Sequence, residues 1–455
     1  MSSVVCEGDW VVFGIPGESS SCQYKMYQVK RSATLNIGKR VGKIKADLLV
    51  GLAYFSHWEL GNASNLIPFV PDGFAEQEVD AEVVGDNRNL FDNNLSQNLT
   101  SEQIAALKHD PELSRKDLIE SLVEGSDSFG TKTVFSQQKY LRKKSLKYRR
   151  VFKILPSTSY YLYWNAFKKT PERILGLRQD ALSQILSLSN AHHGTKLLVY
   201  DGTRGLVALS LLERIHNLDV PNRRMDADIS KVNESQTENS ELFEMNEICN
   251  ENNEIRIEGN EVQAENNAIA VEKTVQREEN EGILATYENW DSWMALLKGP
   301  FPNILFNSSY AKAYSPVFCN FPIEHLFCDS ISVPDDARNS KSALAKYKRM
   351  QRCIDLFQQH KYDALVLILD DIEPCSVAME LARGLNYSRP VVIYSQFRES
   401  LMRCYVEMMD SAQFVNVQLT ESFLREYQTL PGRTHPTMRT FTSNGYILSA
   451  IKVLP

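Results

Sequence analysis

Strand-sized apolar runs alternating with helical segments fill the C-terminal part of the chain, and that rhythm restricts the fold more than any other feature. A helix over 180–189 leads to an apolar run at 196–200, a tight turn and a helix over 206–214. A second strand is expected at 282–287. A long helix over 342–359 then leads into 364–369, a helix over 375–383 into 391–395, and a helix over 399–408 into 414–419, with a last strand at 445–453. Such alternation builds a mostly parallel, doubly wound sheet. The N-terminal residues follow another pattern. Short β-rich runs at 10–15, 25–29 and 48–55, punctuated by Gly14, Gly17, Gly38 and Gly42, predict a small antiparallel sheet or barrel. Residues 61–86 read as irregular. Thr100 with Gln103 forms a capping box ahead of a helix, and 117–123 carries apolar residues at helical spacing.

The longest apolar run, 364–369, is far short of the roughly 18 residues a membrane span requires. The first ten residues have an acid and no long apolar core, so they do not read as a secretory signal. The eight cysteines include no CxxC pair, which disfavours a zinc site or a disulfide framework and points to free thiols in the cytosol or nucleus.

Charge is distributed very unevenly. The formal net charge is −7, yet residues 225–281 alone hold 16 acidic and 4 basic side chains with Phe243 as the only aromatic. That segment cannot bury enough apolar surface to offset its chain entropy, so a disordered insert is expected over about 218–281. Upstream, residues 128–171 contain no Asp or Glu and eleven basic residues, interleaved with Phe135, Tyr140, Tyr148 and Phe152. Basic groups release counterions from phosphates and aromatic rings stack on exposed bases, so this stretch points to nucleic acid. A solvated helix face or a nuclear-localisation run is the plainer alternative.

Three places invite a chemical reading. The turn after 196–200 is Asp201-Gly202-Thr203-Arg204-Gly205-Leu206-Val207, where a cofactor-binding sheet places an acid-x-Gly-x-Gly-x-Gly loop. Thr203 and Val207 stand in two of the three glycine positions, and β-branched residues there disfavour φ > 0 and crowd a ligand. Asp370-Asp371-Ile372-Glu373-Pro374 follows a buried strand, where catalytic carboxylates often sit. The competing and preferred reading is an acidic helix N-terminus with proline in the first turn. His192-His193 has no third ligand at a recognisable spacing, so a loop pair is preferred to a metal site.

Four segments in order resemble a known family. They are Asn87-Arg88-Asn89-Leu90-Phe91-Asp92-Asn93-Asn94-Leu95-Ser96-Gln97 with Leu99-Thr100; Phe135-Ser136-Gln137-Gln138-Lys139-Tyr140 with the basic run to Tyr148; residues 175–186 around Leu177-Arg178-Gln179-Asp180; and Tyr427-Gln428-Thr429-Leu430-Pro431-Gly432-Arg433-Thr434-His435-Pro436, followed by Gly445-Tyr446-Ile447-Leu448-Ser449. Together they resemble the non-catalytic subunits of tRNA (adenine-58-N1)-methyltransferases. The resemblance covers 10–60 weakly and 87–214 and 360–453 well.

That resemblance implies an α/β fold: a Rossmann-like, methyltransferase-type C-terminal domain with a degenerate cofactor loop, and a small β-barrel-like N-terminal domain. The expected boundaries are 1–90 for the barrel-like domain, 91–155 for a helical and basic connector arm, and 156–455 for the methyltransferase-like domain. It further implies a tRNA-binding scaffold that binds no cofactor itself, with S-adenosylmethionine held by a catalytic partner subunit, two copies of each chain, and a nuclear location. Carried over residue by residue, the implied tRNA contacts are Asn87, Arg88, Asn89, Asp92, Ser96 and Gln97; Lys139, Tyr140, Arg142, Lys143, Lys144, Lys147 and Tyr148; Lys169 and Arg173; Arg389; and Tyr427, Gln428, Leu430, Pro431, Arg433, Thr434 and His435. Ser145 and Leu146 interrupt a run that is usually all lysine. The Gly-rich loop expected after the second strand is unrecognisable. The alternative reading is a self-sufficient S-adenosylmethionine-dependent RNA methyltransferase with Asp370 or Asp371 near its site.

Overall fold

The structure is a computed structural model that describes residues 4–17, 22–61, 65–70, 98–109, 115–126, 129–130, 133–216, 293–297, 303–308, 317–328, 331, 333, 341–369, 372–428, 434–438 and 445–454. The chain divides into two compact units, residues 1–174 with 303–312, and residues 175–302 with 313–455.

The first unit is built on an antiparallel sheet. Its strands are β1 (Trp10–Pro16), β2 (Cys22–Gln28), β5 (His57–Leu60), β6 (Leu66–Pro68) and β7 (Val151–Pro156), in the order β2-β1-β7-β5-β6. A separate hairpin pairs β3 (Thr34–Gly38) with β4 (Gly42–Lys45). Val11, Phe13 and Ile15 from β1 and Phe152 and Ile154 from β7 bury together with Leu35, Ile37 and Ile44 of the hairpin. Each such side chain contributes about 1.5–3 kcal/mol by leaving water. Helices α1 (Ser101–His109), α2 (Arg115–Glu124) and α3 (Val134–Tyr148) fall between β6 and β7 in the chain. The Thr100–Gln103 capping box caps α1 as expected: the Thr100 amide donates to Gln103 Oε1 at 2.9 Å and the Gln103 amide to Thr100 Oγ1 at 3.2 Å.

Two expectations change here. Residues 48–55 form no strand. Ala46–Leu49 is a 3-10 turn with Leu49 buried, and Gly51 at φ +87° carries the chain away from it. The apolar residues of that run are divided instead: Leu49 and Phe55 are buried, Leu52 and Tyr54 pack partly buried against the core, and Leu48 and Val50 are exposed. The boundary expected at 155/156 falls instead at 174/175. The reason is β7, which pairs with both β1 and β5, so the sequence that looked like a connector is an insertion inside one sheet.

The second unit carries a seven-stranded sheet of β8 (Lys196–Asp201), β9 (Trp293–Leu297), β10 (Phe318–Phe321), β11 (Ala364–Ile368), β12 (Arg389–Ser395), β13 (Phe414–Thr420) and β16 (Tyr446–Lys452), ordered β10-β9-β8-β11-β12-β16-β13. The first five are parallel; β16 is inserted antiparallel between β12 and β13. Counted within the unit this is 3-2-1-4-5-7-6, a doubly wound sheet of the methyltransferase type. Helices α4 (Ser159–Lys169) and the short α7 (Asn303–Phe306) belong to the first unit; those of the second are α5 (Gln179–Leu188), α6 (Leu206–His216), α8 (Lys341–Gln358), α9 (Pro374–Ala382) and α10 (Arg398–Asp410). All five residues of β11 are buried, as a central parallel strand covered on both faces requires. Leu365 and Leu367 join one core with Cys353 and Phe357 of α8, Ala378 and Leu381 of α9 and Leu401 of α10. The second strand of the sheet lies at Trp293–Leu297, and the run expected to form it, 282–287, lies outside the described residues together with the acidic segment 218–281. One glycine is fixed by packing. Gly445 has φ +72°, and a Cβ on it would come within 2.5 Å of the Tyr394 hydroxyl.

Candidate nucleic-acid interface

The basic run folds as α3. Its N-cap is Thr133, whose Oγ1 accepts from the Ser136 amide at 3.4 Å. Lys139, Lys143 and Lys147 recur every four residues and are all exposed, giving one stripe of ammonium groups about 6 Å apart along the axis. Tyr140, Lys144 and Tyr148 form the neighbouring, half-buried stripe. Lys144 Nζ lies 4.9 Å from the Tyr140 ring centroid and 5.9 Å from that of Tyr148, while Lys147 Nζ lies 5.3 Å from Tyr148. The helix is seated through Gln137 and Tyr140. Gln137 Nε2 donates to the Phe129 carbonyl at 3.0 Å, the Tyr140 hydroxyl to the Leu122 carbonyl at 3.4 Å, and the Phe129 and Tyr140 rings pack 5.6 Å apart. Tyr140 is thus anchored to the preceding segment while Lys139, Lys143 and Lys147 are exposed. Arg142 lies on the same helix.

The eleven basic residues of this stretch are not all solvent-facing, because an acid elsewhere in the chain reaches one of them. Arg149 is bound by Glu59, with Nη2 and Nε at 2.7 and 3.1 Å from Oε2, and its guanidinium stacks 4.4 Å from the Phe69 ring. Both partners are largely buried, so this arginine closes the sheet end. Sequence reasoning missed it because Glu59 lies ninety residues away.

Lys169 and Arg173 flank the end of α4 and are both exposed. The Lys169 ammonium donates to Asn165 Oδ1, and burial of its base and then Lys25 hold its pKa below the ordinary lysine value.

In the second unit, Tyr427 and Gln428 (β14, Tyr427–Gln428) pair antiparallel with Pro436 and His435 (β15, His435–Pro436). The pairing is extended by the Thr437 amide donating to the Glu426 carbonyl at 2.9 Å. Tyr427 is more than half exposed, and Thr434 and His435 are exposed beside it. The chain leading into this hairpin is tied down at Ser422, whose hydroxyl donates to Asp180 Oδ2 at 2.6 Å. Asp180 also accepts two hydrogen bonds from Arg178, at 2.7 and 3.0 Å. Burial alone would raise the Asp180 pKa, but the bonds from Arg178 and Ser422 outweigh it and hold the carboxyl below its usual range. The third signature segment thus anchors the fourth. Arg389 opens β12 at the N-terminal end of the parallel strands and is paired with Asp363 at 3.0 Å. Asn87, Arg88, Asn89, Asp92, Ser96, Gln97, Leu430, Pro431 and Arg433 lie outside the described residues.

The loop after β8 is closed by its own side chains. Asp201, buried and 3% exposed, accepts from the amides of Thr203 at 2.7 Å and Ala208 at 2.8 Å, and from the Thr203 hydroxyl. Thr203 Oγ1 in turn accepts from the Val207 amide at 3.2 Å. The donors at the head of α6, which would otherwise face a ligand, are turned onto Asp201 and Thr203. Thr203 and Val207 avoid positive φ, which falls on Arg204 at +58° and Gly205 at +88°. A Cβ on Gly202 would meet the Ile368 carbonyl at 2.7 Å, so that glycine serves strand packing. Burial raises the Asp201 pKa more than its hydrogen bonds lower it.

Glu373 is the N-cap of α9, accepting from the Cys375 and Ser376 amides at 3.2 and 2.8 Å, with Pro374 in the first turn. The Ser376 hydroxyl, donating to Oε2 at 2.7 Å, and then the two amides hold its carboxyl below the usual range. The helix-terminus reading of this acidic turn stands for Glu373; Asp370 and Asp371 lie outside the described residues. His192 Nδ1 sits 2.8 Å from the His193 carbonyl, and no cluster of potential metal ligands occurs among the described residues.

Known proteins match this chain over nearly its whole length. A curated protein of Dictyostelium discoideum is 27% identical over 99% of this chain and 80% of its own, and one of Mus musculus is 26% identical over 98% and 88%. Both are named as the tRNA (adenine(58)-N(1))-methyltransferase non-catalytic subunit. Among solved structures, a SAM-dependent O-methyltransferase of Thermotoga maritima superposes with TM-score 0.46 at 9% identity, over 100% of this chain and 96% of that one. The Gcd10p family model matches residues 4–300, with the antiparallel sheet, the basic helix and the closed loop after β8 inside that span, and the chain belongs to the Gcd10p family.

Proposed function

We propose that this chain is the non-catalytic, tRNA-binding subunit of the complex that methylates N1 of adenosine 58. The near full-length similarity to proteins bearing that name supports the role. The observation that carries the RNA-binding part is the solvent-facing stripe of Lys139, Lys143 and Lys147 beside the Tyr140–Lys144–Tyr148 stack. Ammonium groups at helical spacing neutralise successive phosphates, and half-buried tyrosine rings beside them offer contact to sugars or bases. The Tyr427–His435 hairpin, anchored through Ser422 and Asp180, adds a second element that projects polar and aromatic side chains.

S-adenosylmethionine belongs to the catalytic partner in this reading. The residues after β8 do not fit the cofactor: Asp201 and Thr203 take up the amides at the head of α6, and Thr203 and Val207 fill the glycine positions. The partner, two copies of each chain and a nuclear location complete the proposal. Because N1 lies on the base-pairing edge, the target base must leave its stack to react, and a scaffold that grips the rest of the tRNA contributes by orientation. No helix among the described residues is long and apolar enough to cross a membrane.

The test is tRNA binding by the full chain with K139E, K143E and K147E combined, at low salt. Affinity is expected to fall on the order of a hundredfold, with a shallower salt dependence, while assembly with the partner persists. Unchanged affinity would overturn the RNA-binding reading. Stoichiometric S-adenosylmethionine binding by the isolated chain in calorimetry would move the assignment to a self-sufficient enzyme.

A further inference from the structure

The two sides of α4 differ. Leu162, Tyr163 and Phe167 are buried and satisfy the helix's share of the core. Tyr160, Tyr161, Trp164 and Lys168 occupy the opposite side. Their rings are ordered against one another. Tyr160 lies 5.1 Å from Tyr161 and 6.5 Å from Trp164, and Tyr161 lies 5.7 Å from Tyr24 of β2. Lys168 Nζ sits 5.8 Å from the Tyr24 ring and 5.4 Å from Trp164, held there by donating to the Cys22 carbonyl at 2.7 Å.

The sheet continues this surface. Register places Tyr24, Gly14, Lys153 and His57 in one row across β2, β1, β7 and β5. Gly14 brings no side chain, and a Cβ there would lie 3.7 Å from Lys153 Cβ and 3.8 Å from the Tyr24 ring, so the ring and the lysine stem close over it. Among the described residues, no carboxylate lies within 4.0 Å of the ammonium groups of Lys153, Lys168 or Lys169. Burial and then the nearby Lys153 push the His57 pKa down to about 4. Tyr160, 49% exposed, presents its ring to solvent at the rim. Trp164 Nε1 is buried without a partner.

We propose that this Tyr160–Trp164–Lys168 face, continued by Tyr24 and Lys153, is a second RNA-binding surface that takes an unpaired segment. It rests on the RNA-binding reading above but uses side chains outside it. A row of rings with cations between them, none of them paired with a carboxylate within 4.0 Å among the described residues, matches a strand whose bases are exposed and whose backbone is anionic. Duplex RNA hides its base faces, so the rings select single-stranded or unstacked nucleotides. An acidic peptide would use the lysines and leave the outermost ring unused.

The test uses the full chain with its partner and two probes, a single-stranded oligouridylate and intact tRNA. Y160A is expected to lower oligouridylate affinity about tenfold, and Tyr160→Phe to restore it, because the ring and not the hydroxyl does the stacking. K168A should weaken the same complex and reduce its salt dependence. If Y160A and K168A leave oligouridylate binding unchanged while K139E/K143E/K147E still weakens tRNA binding, this surface is overturned and the proposed function survives. If none of these variants changes binding to either probe, both fall. A loss in Y160A that Tyr160→Phe does not restore would overturn the stacking role.

Discussion

The junction of β8 with α6 and the helix α3 contain similar polar material put to opposite ends. At the junction, a carboxylate, a hydroxyl and three amides turn inward until each is satisfied by another. Along α3, Lys139, Lys143 and Lys147 turn outward, and no acid in the helix answers them. A closed set of hydrogen bonds leaves nothing for a ligand to complete; an open row of charges is completed only by one. The contrast teaches that a doubly wound sheet keeps its architecture when the loop after its first strand is closed by its own side chains, while the exposed row of charges sits in the other unit of the chain.

The largest effect expected is at the closed end. Asp201→Ala leaves the Thr203 and Ala208 amides buried without an acceptor, at a cost of about 4 kcal/mol. Denaturant unfolding followed on the second unit should show this loss. Little destabilisation would mean that Asp201 does not close the loop, and the contrast with α3 would collapse.

A smaller effect lies inside the basic run and sharpens the comparison. Arg149→Met strands Glu59, whose side chain is 10% exposed, and should destabilise the first unit by about 3 kcal/mol. Lys143→Met, six residues earlier on an exposed face, should change stability by less than about 0.5 kcal/mol. Adding Glu59→Gln to Arg149→Met should restore most of the loss, since it removes the stranded charge. Equal effects of the two single variants would erase the distinction between structural and recognition charges in this run.

These pairs show what the sequence could and could not display. The capping box at Thr100, the central strand 364–368 and the N-cap at Glu373 depend on neighbours within a few residues, so their chemistry is visible in order along the chain. The substituted glycines at Thr203 and Val207 announced an altered loop, though not that Thr203 would become its hydrogen-bonding hub. Long-range partnerships were hidden. Nothing near Arg149 points to Glu59, and nothing near Ser422 points to Asp180, 242 residues away. Strand 293–297 was missed because a similar apolar run precedes it, and only pairing with β8 and β10 decides between them. The aromatic face of α4 was invisible because Tyr24 and Lys153 reach it through cross-strand register.

The least visible consequence of inward-turned polarity lies at the other end of α6. His216 is 7% exposed, and burial, followed by the charge of nearby His193, pushes its pKa down to about 4. In the unfolded chain the same imidazole takes a proton near pH 6.5. Between those values the unfolded state binds more protons than the folded one, so stability falls as pH drops from about 6.5 to 4 and levels off below. The shift corresponds to at most about 3 kcal/mol, and His57 in the first unit acts in the same direction. The discriminating measurement is therefore a difference: unfolding free energy of the native chain minus that of His216→Leu, followed from pH 7.5 to 4.5. That difference should shrink steadily as pH falls, because the leucine variant has no proton to take up when it unfolds. A flat difference would show that the folded protein admits a charged imidazole at this site, and that the inward packing of α6 stops short of its C-terminus.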